Sequence, residues 1–101
     1  LAMKAKGKGA AIVECPVGGT IGPARDGKLL GFAGGDDADF ARAKPLLDQM
    51  CRRVEHMGPS GNGAAMKLAI NLPLLVFWQS FGEAMSLLKP LGIPPERLVD
   101  I

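Results

Sequence analysis

The 101-residue sequence predicts an α/β fold: short strands and a helix, followed by one long helix. Three observations carry this. Two short runs, residues 10–17 and 29–33, are apolar and bounded by glycines, as buried strands are. After them, apolar residues recur at helical spacing, at Phe40, Ala43, Leu46, Leu47 and Met50. The apolar stretch over residues 63–89 is far too long for a strand.

Taken in order, residues 1–6 read as the last turn of a helix and Gly7-Lys8-Gly9 as a turn. Residues 10–17 are apolar at most positions, the pattern of a strand buried on both faces. Pro16 belongs at its end, because proline cannot donate to a ladder. The glycine-rich residues 18–27 read as a loop. Its backbone can approach a ligand closely and its N–H groups can take an anion; a plain surface turn is the competing reading. Residues 29–33 form a second strand, ended by Gly34-Gly35. Asp36 or Asp37 then caps a helix running to Met50, which Pro45 should kink. Residues 53–57 alternate weakly and read as a third strand. His56, near its end, reads as a structural hydrogen-bonder rather than a catalyst.

The second glycine-rich stretch, residues 58–63, opens the long helix, with Asn62 as the expected cap. Pro73 should kink this helix, and Pro90, Gly92 and Pro94-Pro95 should stop it. Residues 95–101 begin another helix. The chain therefore reads as cut at both ends, beginning in one helix and stopping in another.

Composition narrows the classes. Charged residues are 22% and hydrophobic residues 48%, a soluble globular balance. A net charge of +2 is too small to argue for nucleic acid. No apolar run follows the first residues, so no signal peptide is expected. The most apolar segment is interrupted by Asn71, Pro73, Gln79, Ser80 and Glu83, which argues for a core helix over a membrane span. Cys15 and Cys51 form no metal or redox motif, and with a single histidine no metal site is expected. Two unpaired cysteines suggest a reducing, cytoplasmic setting.

The chemistry concentrates at Lys67 and Asn71, which stand at i and i+4 on one helical face, just inside the helix N-terminus. The positive end of the helix dipole disfavours a cation and welcomes an anion such as a substrate carboxylate. A buried lysine there would have a lowered pKa and could exchange a proton near neutrality. The plainer reading is a solvated lysine beside a satisfied asparagine. The spacing is not that of a P-loop, since no Lys-Ser or Lys-Thr follows the glycines.

Two stretches together resemble a known family. Residues 14–29, Glu-Cys-Pro-Val-Gly-Gly-Thr-Ile-Gly-Pro-Ala-Arg-Asp-Gly-Lys-Leu, resemble the substrate-binding signature of the β-hydroxyacid dehydrogenases, Asp-Ala-Pro-Val-Ser-Gly-Gly and then Gly-x-Leu. Residues 61–71 resemble the same family's catalytic signature, Gly-x-Gly-x-x-x-Lys-x-x-x-Asn. Gly34-Gly35-Asp36 and Ala43-Lys44-Pro45-Leu46-Leu47 match it at corresponding spacing.

The resemblance implies a specific architecture. Residues 1–60 would be the distal part of a Rossmann-like domain that binds NAD or NADP. Residues 61–101 would be the interdomain helix and the start of an all-α domain. It implies an NAD(P)-dependent oxidoreductase that interconverts a β-hydroxyacid and its semialdehyde. Lys67 would be the general acid/base, with Gly18, Gly19, Thr20 and Asn71 at the substrate. A homo-oligomer is expected.

The departures are informative. The family's serine falls on Gly18, its following second glycine on Thr20, and the first of a frequent Asn-Asn pair on Ile70. Substrate identity is thereby left open, and the Thr20 hydroxyl could replace the serine. No strand–Gly-x-Gly-x-x-Gly–helix unit occurs, so NAD and NADP are not distinguished and the chain alone is expected to be inactive. The competing reading is a non-catalytic packing module. Its long helix, apolar on more than one side, would bury itself against another chain.

Overall fold

The computed structural model describes residues 1–101. In chain order the elements are α1 (Ala2–Lys6), β1 (Val17–Gly18), α2 (Ile21–Arg25), β2 (Leu29–Ala33), α3 (Asp37–Met50), β3 (Cys51–His56), α4 (Asn62–Leu88), a 3₁₀ turn (Lys89–Leu91) and α5 (Pro95–Asp100). Two compact units divide inside α4, Leu1–Ala69 and Ile70–Ile101.

The first unit is a three-stranded sheet in the order β1-β2-β3. β1 runs antiparallel to β2, with Val17 opposite Gly31 and Gly18 opposite Leu30. β2 and β3 are parallel and joined through α3, the crossover that parallel strands require. α3 ends at Met50 and β3 begins at the next residue, two positions earlier than the weak alternation suggested. The Cys51 N–H still bonds back to the Leu47 carbonyl as the helix hands over to the strand.

The expected strand over residues 10–17 is mostly absent. Regular pairing survives only at Val17–Gly18, preceded by an isolated antiparallel bridge between Glu14 and Gly34. Pro16 is the physical reason: without an N–H it offers β2 only its carbonyl, which accepts from Phe32 N–H at 3.0 Å. Nor is the stretch buried on both faces; most of it is half-buried and Val17 is exposed. Residues 18–27 also differ from a plain loop, because α2 forms inside them. Pro23 is tolerated in its first turn, where amide groups have no helical partner anyway. The loop also consumes amides expected to be free for an anion. Ala24, Asp26 and Lys28 N–H donate to the carbonyls of Thr20, Gly22 and Pro23.

The core is small: Phe32, Ala33, Leu47 and Cys51. Glycines at 31, 34, 35 and 63 are buried with it and allow close approach. Gly31 separates the two thiols: a Cβ there would lie 2.9 Å from Cys15 Sγ and 3.2 Å from Cys51 Sγ. Burial pushes both thiols above their ordinary pKa, with Cys51 adding to the shift at Cys15 and Asp48 to that at Cys51. A thiol whose pKa is raised by folding contributes stability that is intact below its unfolded value and lost as pH climbs past it. Iodoacetamide at pH 8 should therefore modify the folded chain more slowly than the urea-unfolded chain. Equal rates at both cysteines would refute this burial.

Asp36 stands at the N-cap position of α3, but its side chain makes no cap bond; its carboxylate pairs with Lys6 at 3.1 Å. Asp37 and Asp39 place negative charge in the first turn, where the dipole favours it. Both α3 and α4 continue through their internal prolines, Pro45 and Pro73. His56 behaves as a structural residue. Its Nε2–H donates to the Gly35 carbonyl at 2.8 Å, and its ring stacks on Phe40 with centroids 4.3 Å apart.

The second unit holds the rest of α4, the 3₁₀ turn and α5, with Gly92 in the left-handed conformation ending the turn (φ +66°). Leu72, Leu75, Val76, Phe77 and Trp78 are each more than half exposed. By length and hydropathy alone, residues 62–91 could cross a membrane. Lys67, Glu83 and Lys89 lie within that stretch, all away from its middle.

Candidate active site

The site is built around the start of α4. Gly58 and Gly61 turn the chain into the helix with φ of +89° and +104°, conformations that side-chain-bearing residues rarely adopt. Gly63 follows, buried directly against β2: a Cβ there would collide with the Phe32 carbonyl oxygen and lie 3.2 Å from Gly34 N. The helix N-terminus therefore backs onto the C-terminal end of β2. Adjacent bonds brace it, from Gly35 N–H to the Gly58 carbonyl (2.9 Å) and from Met57 N–H to the Ala33 carbonyl (2.7 Å).

Asn62 is not the side-chain cap. Its Nδ2 donates to the Met57 carbonyl at 2.8 Å, stabilising the turn before the helix. The cap is Glu14, remote in sequence. Its Oε1 accepts from the N–H groups of Gly61 (2.5 Å) and Gly63 (3.0 Å), with a longer contact to that of Ala64 (3.4 Å). Hydrogen bonds to a charged acceptor contribute about 1.5–3 kcal/mol each, and the helix dipole adds to the attraction. The anion expected at this N-terminus is thus supplied by the chain itself.

Lys67 lies one turn further along α4, half-buried, with no carboxylate paired to it. Asn71 follows one turn later on the same helix, also half-buried, at the start of the second unit.

Gly18 and Gly19 line a separate open groove of about 440 Å³ with Pro23, Lys28, Leu30 and Arg52. Thr20 is the first residue before α2, and its hydroxyl makes no cap bond. Of the expected site residues, only Gly18 and Gly19 meet in one cavity; Lys67 and Asn71 do not line it. The two glycines differ. A Cβ on Gly18 would make ordinary contacts at 3.8 Å with Leu30 and Phe32, whereas one on Gly19 would meet Leu29 Cδ2 at 2.9 Å with φ at +125°.

Sequence reasoning missed Glu14, Lys28 and Arg52 as participants. Glu14 did carry a signal, as the one acidic residue in the otherwise apolar stretch 10–17. Lys28 and Arg52 carried none, because only the pairing of β2 with both neighbours brings them to one groove.

Comparison with known proteins places this geometry. The family model described as the NAD binding domain of 6-phosphogluconate dehydrogenase matches residues 1–58. The chain is 38% identical over 96 residues to glyoxylate/succinic semialdehyde reductase 2, chloroplastic, of Arabidopsis thaliana, covering 95% of this chain and 27% of that protein. It is 35% identical over 101 residues to the 3-hydroxyisobutyrate dehydrogenase of Pseudomonas aeruginosa, covering all of this chain and 34% of that protein. The solved structure of Mycobacterium tuberculosis 3-hydroxyisobutyrate dehydrogenase with L-serine matches 97% of this chain and 34% of its own, with a TM-score of 0.80 and 32% identity. The Salmonella typhimurium 3-hydroxyisobutyrate dehydrogenase matches 98% of this chain and 35% of its own, with a TM-score of 0.85 and 29% identity. The chain thus spans about a third of the length of these relatives. Its three-stranded sheet matches the Rossmann-like NAD-binding region of such proteins, a long helix follows it, and the chain belongs to the β-hydroxyacid dehydrogenase family.

Proposed function

We propose that this chain carries the catalytic lysine and substrate loop of an NAD(P)-dependent oxidoreductase that interconverts a β-hydroxyacid and its semialdehyde. The observation that carries this reading is the position of Lys67, one turn inside a helix N-terminus pinned by Glu14 to the segment leading into Gly18–Thr20. Lys67 takes the hydroxyl proton during oxidation and returns it to the alkoxide during reduction. Asn71, one helical turn further along α4, contacts the substrate. NAD or NADP, when bound, accepts or supplies the hydride.

The residues present do not fit the dinucleotide phosphates. The first turns of α3 and α4 already carry or bind carboxylates, from Asp37 and Asp39 and from Glu14. Like charge there disfavours phosphate. The phosphates therefore fall to residues outside this chain, which on this reading is part of a longer enzyme. Two free thiols suit a cytoplasmic, reducing setting.

The test is dinucleotide-dependent turnover of 3-hydroxyacids and their semialdehydes by the enzyme containing this chain. Absence of turnover with every β-hydroxyacid tried, under both NAD and NADP, would overturn the reading. Substrate choice is assigned to Gly18, where an added Cβ would make only ordinary contacts. Gly18→Ser should improve kcat/KM for a simple 3-hydroxycarboxylate relative to other substrates, by on the order of 1–3 kcal/mol if a charge-assisted bond forms. An unchanged ranking of substrates would place specificity elsewhere.

The packing reading is favoured by one observation, the exposure of Leu72, Leu75, Val76, Phe77 and Trp78 along α4. A contiguous apolar surface beyond a few hundred Å² drives association. Light scattering on the 101-residue chain should show dimers or larger species; a monodisperse monomer would argue against it.

A further inference from the structure

We propose that Glu14 is the positioning residue of this site, fixing the first turn of the Lys67 helix against the loop that begins at Gly18. The inference rests on the functional reading above. Glu14 is held from both sides. Its backbone N–H donates to the Gly34 carbonyl at 3.0 Å, and its carbonyl accepts from Gly34 N–H at 2.9 Å. Its side chain crosses the face of Gly34, where a Cβ would collide with the carboxylate, so a glycine is required for the reach. The carboxylate then bonds the first amides of α4.

The contact sits between the two halves of the chemistry. Ala64 is three residues before Lys67, on the same side of the helix. Gly18 is four residues after Glu14, along a segment stiffened by Pro16 and tied to β2 at Phe32 and Gly31. A shift of the helix start would move the lysine relative to the glycine loop. A misplacement of about 1 Å at a reacting group costs on the order of 10²-fold in rate. Gly63 excludes any filler between helix and strand, so the Glu14 bonds set how the N-terminus seats.

The test compares Glu14→Gln and Glu14→Asp in the dinucleotide-loaded enzyme. Glu14→Gln keeps the size and removes the charge. It should lower kcat about 10–100-fold while leaving the KM for the dinucleotide unchanged. Glu14→Asp, which keeps the charge, should retain more kcat than Glu14→Gln. Amide hydrogen exchange at Gly61, Gly63 and Ala64 in the same proteins should accelerate in Glu14→Gln. Unchanged exchange at all three amides would overturn the pin. Faster exchange with a wild-type kcat would reduce Glu14 to a helix cap and overturn the positioning role alone. A Lys67→Ala enzyme with full kcat would instead overturn the functional reading, and the positioning role with it.

Discussion

Lys67→Ala should lower kcat by about 10²–10⁴-fold in the dinucleotide-loaded enzyme, with substrate KM changed far less. The size follows from the proposed role. A general acid/base acts in the transition state, so its loss appears in kcat and leaves ground-state binding nearly intact. The position supports it. Lys67 is half-buried with no carboxylate paired to it, so its amine is not committed to an internal partner. A lysine serving only as a solvated surface group would give kcat within a factor of two or so of wild type. Steady-state kinetics in both directions distinguish the cases, and survival of kcat would remove Lys67 from the mechanism.

The second large effect concerns stability, and its sign reverses within one helix. At Gly63 an added methyl would collide with backbone, the Phe32 carbonyl oxygen, which cannot swing aside as a side chain could. Overpacking typically costs about 1–3 kcal/mol, and a backbone collision lies at the upper end. Gly63→Ala should therefore lower the melting temperature by on the order of 10–20 °C. It should also loosen the Glu14 bonds, since the helix start must retreat from β2. At Gly82 an added Cβ meets nothing within 4 Å. Gly82→Ala should gain the helix propensity of alanine, about 1 kcal/mol. Circular dichroism melts of the two variants against wild type test both. Equal melting temperatures would mean that α4 is not seated on β2 as described.

What could be read from the sequence was whatever local chemistry controls. The apolar run 29–33, the periodic residues from Phe40 to Met50 and the long stretch after Gly63 each became the expected element, because burial pattern and helical spacing are properties of neighbouring residues. His56 was legible as a hydrogen-bonder at a strand end, while its partner, the Gly35 carbonyl 21 residues away, was not. That Lys67 and Asn71 share one helix was legible because the helical pattern is local.

The tertiary structure alone decided what depends on partners distant in the chain. Residues 10–17 have the composition of a strand, but their place beside an antiparallel β2, with Pro16 lacking an N–H, leaves only two residues regularly paired. Asn62 has the chemistry of a cap. Glu14 takes that role from 47 residues away, because the Glu14–Gly34 bridge brings a full carboxylate to the helix start and charge outcompetes an amide there. The groove at Gly18 and Gly19 acquires Lys28 and Arg52 only once β2 pairs on both sides. Sequence spacing determined which groups share a helix face. Strand pairing determined which remote charge that face meets.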